Sequence, residues 1–283
     1  MKRQVLFVTF ALVLLVLAGC SLLDGPPQPV IPTPIPTAPP LPGSGQGIPA
    51  EQVTDPVSDI VPAVDPEITD LLTLVSQQQL MAYVQTLENF GTRNSFSSID
   101  REDHGIGAAK RWIFDEFTRV GNGRLQVAYD DFLLSYKGKT SEQSNIVATL
   151  PGVGTNNGVI IVMAHYDNRP VDDLDGFTKA SGANDNASGV ALLLETARIM
   201  SSREWNQTIM FVAMAAEEQG TFGSRHFAQN AFLDNLNILA VVNYDAVGGR
   251  LGIPQLVRLF AQDLRQSPAG EIGRYFEYIG GHY

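Results

Sequence analysis

The stretch Val159-Ile160-Ile161-Val162-Met163-Ala164-His165-Tyr166-Asp167 decides the fold of this chain. Its first six residues form an unbroken apolar run, which is typical of a β-strand buried on both faces of a sheet. Strands of this kind belong to parallel sheets that are covered by helices on both sides. The run ends at His165 and Asp167, so the predicted strand leads directly from the core into a polar region.

Segments of helical and strand character alternate on either side of this stretch. Apolar positions at helical spacing predict helices over residues 67–90, 105–120, 187–200 and 254–265. Apolar and β-branched runs predict strands over residues 125–134, 145–150, 159–164, 208–215 and 236–244. This order predicts an α/β protein, a three-layer sandwich in which a mostly parallel central sheet has helices on both faces.

Three of the predicted strands end in side chains that can bind a metal ion. In chain order, the residues that follow these strands are His165 with Asp167, Glu217 with Glu218, and Asp245. Ligands of open α/β sheets bind beyond the carboxyl ends of the strands. We therefore expect these side chains to meet at one edge of the sheet.

Each of these polar residues has an ordinary structural interpretation when it is taken alone. Asp185, within Gly182–Gly189, directly precedes an apolar helix and is typical of a helix start. His165 alone fits a histidine at the rim of a sheet, and Glu217-Glu218 alone fits a solvated pair. Gathered at one edge, however, the carboxylates would repel one another without a cation. Histidine together with aspartate and glutamate is a ligand set that zinc accepts.

Four segments, taken together, resemble the co-catalytic zinc aminopeptidases. These segments are His165-Tyr166-Asp167, Gly182–Gly189, Glu217-Glu218-Gln219-Gly220 and Asn243-Tyr244-Asp245. The family includes the secreted bacterial leucyl aminopeptidases, aminopeptidase Y and the plasma glutamate carboxypeptidases. The resemblance covers about residues 70–270 and implies a zinc exopeptidase-like fold.

The resemblance implies a site with two zinc ions. It implies that Asp185 bridges the ions, that His165 and Asp245 complete one metal site, and that Glu218 belongs to the other. It also implies a cis peptide bond between Asp185 and Asn186.

The resemblance also implies the chemistry. Glu217 corresponds to the general base, and Asp167 corresponds to the acid that orients His165. The implied activity is that of a metal-dependent aminopeptidase, which hydrolyses N-terminal peptide bonds of peptides with a free N-terminus by means of a zinc-activated water. A glutaminyl cyclase of the same fold, or a catalytically silent metal-binding envelope lipoprotein, are the alternatives.

One ligand of the family's second zinc site lacks a clear counterpart. The family uses a late histidine beside an aspartate, and in this chain only His282 follows Asp245. His282 has no neighbouring aspartate and no apolar run before it. We therefore expect the catalytic domain, residues 67–283, to be incomplete at its C-terminus.

The N-terminal region has the features of a bacterial lipoprotein. Lys2 and Arg3 precede the apolar run Val5–Ala18, which is too short to span a bilayer. The run ends in Leu17-Ala18-Gly19-Cys20, which resembles a lipobox and contains the only cysteine of the chain. Residues 1–19 are predicted to be a signal peptide and Cys20 the site of lipidation. The protein is therefore expected to be exported across the cytoplasmic membrane and anchored extracytoplasmically at the cell envelope.

Residues 20–66 are predicted to form a linker between the lipid and the catalytic domain. Of the 17 prolines, 13 lie before residue 67, which favours an extended polyproline II conformation. At ~3.1 Å per residue, the most proline-rich part could reach about 90 Å.

Composition excludes several other classes of protein. A net charge of −11 argues against nucleic-acid partners, because phosphate binding requires clustered basic residues. A single cysteine excludes an internal disulfide framework and a cysteine-rich zinc module. The chain contains no Gly-x-Ser-x-Gly motif of serine hydrolases. The segment Gly152–Gly158 misses the dinucleotide-binding pattern and leads into a strand rather than a helix.

Overall fold

The computed structural model describes residues 64–155, 158–249, 257–262 and 266–281. The predicted signal peptide, Cys20, most of the predicted linker and His282 lie outside the described residues. The described residues all belong to one compact unit, Pro62–Tyr283. None of the described helices combines the length and the apolar composition needed to cross a bilayer.

Helices and strands alternate along the described part of the chain. The helices are α1 (Pro66–Thr73), α2 (Gln77–Asn89), α3 (Gly105–Gly121), α4 (Ser188–Met200), α5 (Phe222–Leu233) and α6 (Pro268–Gly280). The strands are β1 (Gln126–Tyr136), β2 (Lys139–Leu150), β3 (Val159–His165), β4 (Thr208–Met214) and β5 (Ile238–Asn243).

The five described strands form one mixed sheet in the order β1-β2-β4-β3-β5. The strands β3, β4 and β5 are parallel, whereas β1 and β2 are antiparallel to each other and β2 is antiparallel to β4. Lys137 and Gly138 form the turn between β1 and β2, and their positive φ angles of 47° and 79° fit the tight turn of a hairpin. The predicted α/β class is confirmed, and the three strands that lead to the predicted site are the parallel ones.

Helices cover both faces of the sheet, which gives the expected three layers. On one face, side chains of α2, α3 and α4 pack on the sheet in a large apolar cluster that includes Ile113, Leu193 and Phe211. On the other face, Val159, Ile161, Val212 and Met214 form a smaller cluster, against which Phe227 of α5 packs.

Two predicted helices differ from the structure. The predicted helix over 67–90 is divided into α1 and α2, because Ser76 adopts an extended conformation and its side chain accepts a hydrogen bond from the backbone N–H of Gln79 at 3.2 Å. The predicted closing helix over 254–265 is wrong for its described part, since residues 257–262 are not helical. The helix α6 begins later, where Ser267 caps the first turn and Pro268 occupies its first position.

The core of the sheet offers a test of the fold. Phe211 in β4 is fully buried, so the substitution Phe211→Ala is expected to lower the free energy of unfolding by about 3–5 kcal/mol. Phe232 on α5 is 80% exposed, and Phe232→Ala is expected to change it by less than about 0.5 kcal/mol. Urea denaturation of both variants measures the difference, and equal effects would contradict the described packing.

Candidate metal centre

The carboxyl ends of β3, β4 and β5 lie at one edge of the sheet and position most of the predicted site. His165 is the last residue of β3, and it lies opposite Met214 at the end of β4. Three residues beyond Met214 the chain reaches Glu217, and two residues beyond the end of β5 it reaches Asp245. The predicted meeting of these segments at one sheet edge therefore follows from the parallel order of the strands.

The turn before α4 brings Asp185 to the same edge. The Nε2 atom of His165 lies 3.2 Å from Oδ1 of Asp185 and 3.6 Å from Oδ1 of Asp245. One ligand atom from each of the three residues lies within 4.8 Å of the others. Ligand atoms about 2.0–2.2 Å from a tetrahedral zinc ion are roughly 3.4 Å apart. One imidazole nitrogen and two carboxylate oxygens at this spacing fit a zinc site.

The electrostatics of His165 favour a positive charge at this point. Burial of the imidazole lowers its pKa, but hydrogen bonds with the carboxylates of Asp167, Asp185 and Asp245 outweigh burial and raise the pKa to about 12. The same contact with His165 lowers the pKa of Asp185. The three carboxylates thus stabilise a positive charge on the imidazole.

Asp167 is fully buried beneath this group and organises the segment after β4. Its Oδ1 atom accepts a hydrogen bond from the backbone N–H of Glu217 at 3.0 Å, and its Oδ2 atom accepts one from that of Glu218 at 3.1 Å. The Nδ1 atom of His165 lies 3.2 Å from the backbone oxygen of Asp167 and 3.6 Å from its carboxylate. Asp167 therefore contacts both the predicted ligand and the predicted base.

The side chain of Glu217 lines a cavity of about 120 Å³ that His165 and Asp245 also line. Met163, Met214 and Asn243 form part of its remaining wall. Burial raises the pKa of the Glu217 carboxyl above its ordinary value. The predicted general base thus lies beside the candidate metal ligands, in the wall of the same cavity.

Glu218 makes a contact of its own outside the group of three. Its Oε2 atom accepts a hydrogen bond from Nε of Arg169 at 2.7 Å, and Glu218 is not among the residues that form the ligand group. Arg169 was not among the predicted site residues, although a basic residue two positions after Asp167 in an acidic segment was a usable signal. In the described part of the chain, the ligand atoms of His165, Asp185 and Asp245 lie close together, and the second metal site stays a prediction.

The turn that carries Asp185 is joined to the end of β5 by Asn186. The peptide bond between Asp185 and Asn186 is cis, as the resemblance implied. The buried amide of Asn186 donates to the backbone oxygen of Tyr244 at 2.9 Å, and its oxygen accepts from the backbone N–H of Ala246 at 3.1 Å. These bonds flank Asp245, so they fix its position relative to Asp185.

The fold and the ligand group define this protein as an α/β protein of the zinc exopeptidase-like class. Residues 145–269 match the model of a protein family that is described as "Peptidase family M28". The chain belongs to this family of co-catalytic zinc peptidases. The cofactor of the site is accordingly zinc, which the residues present fit.

Three known proteins are similar to this chain in sequence or in structure. A probable zinc metalloprotease of Pyricularia oryzae is 34% identical over 81% of this chain and 52% of its own length. The chain thus spans about half the length of this curated relative. The LapA aminopeptidase of Legionella pneumophila has the same fold with a TM-score of 0.58, at 19% identity over 79% of this chain and 57% of LapA. Glutaminyl cyclase of Porphyromonas gingivalis gives a TM-score of 0.59, at 24% identity over 74% of this chain and 73% of the cyclase.

Proposed function

We propose that this chain is the catalytic region of a zinc-dependent aminopeptidase. The observation that carries the proposal is the convergence of His165, Asp185 and Asp245 beside the cavity that Glu217 lines. Membership of a zinc peptidase family supports peptide-bond hydrolysis, and the resemblance to aminopeptidases supports cleavage at a free N-terminus.

The residues present divide the reaction among them. His165, Asp185 and Asp245 would hold zinc, which when bound lowers the pKa of a water molecule and polarises a carbonyl group. Glu217 accepts a proton from the attacking water while the water oxygen bonds to the scissile carbonyl carbon. Glu217 then returns this proton to the amine nitrogen as the carbon–nitrogen bond breaks. A raised pKa suits Glu217 to both steps, because the carboxyl must take up and release a proton.

Specificity for the N-terminus is consistent with the charge of the site. Asp185 and Asp245 are both exposed at the sheet edge, with 60% and 47% of their side chains accessible. A carboxylate oxygen that the metal leaves free can accept a hydrogen bond from the ammonium group of a free N-terminus, whereas an acetylated terminus has no ammonium group.

We further propose a second zinc ion held by Asp185 and Glu218, and a lipid anchor at Cys20. The second ion requires Glu218 to share its carboxylate between the metal and Arg169, and a carboxylate has two oxygens with which to do so.

The lipid anchor would keep the enzyme outside the cytoplasmic membrane. Labelling of the protein with a radioactive fatty acid tests the anchor, and the label is expected to be lost in Cys20→Ser.

Removal of the metal tests the proposed activity. The full chain is expected to hydrolyse an aminoacyl p-nitroanilide, and dialysis against 1,10-phenanthroline is expected to lower the rate at least about 100-fold, because several kcal/mol of transition-state stabilisation are lost. Added zinc is expected to restore the rate. The N-acetylated substrate is the control and is expected to remain uncleaved. Metal-independent hydrolysis, or equal rates on both substrates, would contradict the proposal.

A glutaminyl cyclase is the second candidate, because the cyclase of Porphyromonas gingivalis has the same fold over about three quarters of both chains. A peptide that begins with glutamine distinguishes the two activities. A cyclase releases ammonia and leaves a pyroglutamyl peptide of the same number of residues, whereas an aminopeptidase releases free glutamine. Zinc binding with neither product would indicate the catalytically silent binding protein.

A further inference from the structure

Arg93 is a charged side chain that the proposed reaction does not use, and it is almost completely buried. Only 1% of its surface is exposed. Its side chain donates hydrogen bonds to four backbone oxygens: those of Tyr166 at 2.8 Å, Leu87 at 2.9 Å, Gly182 at 2.9 Å and Ser181 at 3.3 Å. A planar guanidinium has five donors in a fixed arrangement, so it can join several backbone segments at once.

Two of these segments present the metal ligands. Tyr166 lies between His165 and Asp167 at the end of β3, and Ser181 and Gly182 lead into the turn that carries Asp185. The backbone oxygen of Gly182 also accepts from the backbone N–H of Ala187 at 2.9 Å, which closes the turn around Asp185. Arg93 is thus bonded on one side to the residue next to His165 and on the other to the turn of Asp185.

Asn168 makes a second set of hydrogen bonds between the same two segments. Its Oδ1 atom accepts from the backbone N–H of Arg93 at 2.8 Å, and its backbone N–H donates to the oxygen of Arg93 at 3.2 Å. The Nδ2 atom of Asn168 donates to the backbone oxygen of Ala180 at 3.0 Å. Two sets of hydrogen bonds therefore connect the segment after β3 with the segment before Asp185. Arg93 makes one set, and its buried neighbour Asn168 makes the other.

The backbone at Gly182 is fitted closely around this arrangement. Gly182 has a φ angle of 53°, which residues other than glycine rarely adopt. A Cβ atom at this position would lie 2.6 Å from Nη2 of Arg93 and 2.4 Å from Nδ2 of Asn168. The glycine allows the chain to approach the guanidinium closely enough to accept its hydrogen bond.

The guanidinium also brings a positive charge beneath the acidic group. Burial lowers the pKa of Arg93 to about 10, while the nearby charges of Asp167, Glu88 and Asp185 act in the opposite direction. Arg93 is therefore protonated at neutral pH and reduces the repulsion between Asp167, which is buried, and Asp185, which is exposed.

We propose that Arg93 is a positioning residue that sets the separation of His165 and Asp185 and thereby the zinc affinity of the site. The inference extends the proposed function, since it concerns the metal of that reaction, but it is tested by zinc binding without any substrate. A residue that served only to hold the fold together would change the unfolding temperature and leave the zinc affinity of the folded protein unchanged.

The test compares the change from arginine to lysine at two positions of the full chain. Arg93→Lys keeps the charge but loses the planar arrangement of donors, so zinc is expected to bind about 10–100-fold more weakly, as is typical when a residue that supports a metal ligand is changed. Arg124→Lys is the matched control, because Arg124 donates to the single backbone oxygen of Ser201 at 2.8 Å. Its zinc affinity is expected to equal that of the unmodified protein. Competition with a chromophoric chelator measures the dissociation constant, and thermal unfolding without zinc verifies the fold.

The results separate this inference from the proposed function. If Arg93→Lys folds and binds zinc with unchanged affinity, the inference is overturned. If Arg93→Lys does not fold, Asn168→Ala is measured in its place and is expected to bind zinc about 10-fold more weakly. An unchanged zinc affinity of Asn168→Ala would then overturn the inference. Zinc binding weakened by either variant, in a protein that hydrolyses no peptide, supports the role of Arg93 and contradicts the peptidase. A parent chain that binds no zinc contradicts both.

Discussion

Glu217→Gln is expected to lower kcat by about 10²–10⁴-fold, because it removes the group that accepts the proton of the attacking water. Glutamine has nearly the same shape as glutamate but cannot take up that proton. The backbone N–H of residue 217 still donates to Asp167, so the segment after β4 is expected to keep its place. Steady-state hydrolysis of an aminoacyl p-nitroanilide measures kcat, and elemental analysis measures the bound zinc.

The zinc content separates loss of the base from loss of the site. Zinc per chain is expected to remain at the parent value in Glu217→Gln, since Glu217 is not in the ligand group. Glu204→Gln, an exposed position on the loop before β4, is the matched control and is expected to keep full activity. Turnover that survives in Glu217→Gln would show that another residue is the base.

Asp185→Asn is expected to weaken zinc binding by more than about 100-fold, because it acts on a direct ligand rather than on a supporting residue. The Oδ1 atom of Asp185 is the carboxylate oxygen nearest to Nε2 of His165, at 3.2 Å. The substitution keeps the shape of the side chain and removes the charge that attracts the metal. Zinc per chain after dialysis against micromolar free zinc measures the effect.

The same dialysis tests the number of metal ions. Two zinc ions per parent chain would support the proposed second site with Glu218, and their joint loss in Asp185→Asn would support a bridging role. Asp100→Asn, an exposed aspartate in the loop before α3, is the matched control and is expected to retain the parent content. Undiminished zinc in Asp185→Asn would contradict the assignment of Asp185 as a ligand.

The sequence was sufficient to predict the parallel part of the sheet and the place of the site. The apolar runs before His165, Glu217 and Asp245 correspond to β3, β4 and β5. Parallel strands in a covered sheet end at a common edge, so the meeting of the residues beyond them followed from the topology alone. For this reason the meeting of His165, Glu217 and Asp245 could be anticipated without coordinates, whereas the role of Asp185 was implied by the family resemblance.

Other features depended on contacts that leave no pattern in the sequence. The division between α1 and α2 depends on Ser76, whose backbone N–H donates to Glu195 of α4 at 2.7 Å, a partner far away in the chain. The antiparallel hairpin was only partly recognised, since β2 begins at Lys139 rather than at residue 145. The bonds of Arg93 end on backbone oxygens, which every residue possesses, so no residue type marks the acceptors.

Different residues hold the ligand-bearing segments and form the remaining wall of the cavity, and this division has a consequence for protein engineering. Asn186 and Asp167 hold the ligand-bearing segments through backbone groups, whereas Met163, Met214 and Asn243 contribute side chains to the wall of the cavity. Exchanges among the wall residues can therefore reshape the cavity while the frame of the metal centre stays in place. A library that keeps Met163 and Met214 and varies exposed wall residues such as Asn243 would change the cavity at low risk to the core and the metal centre.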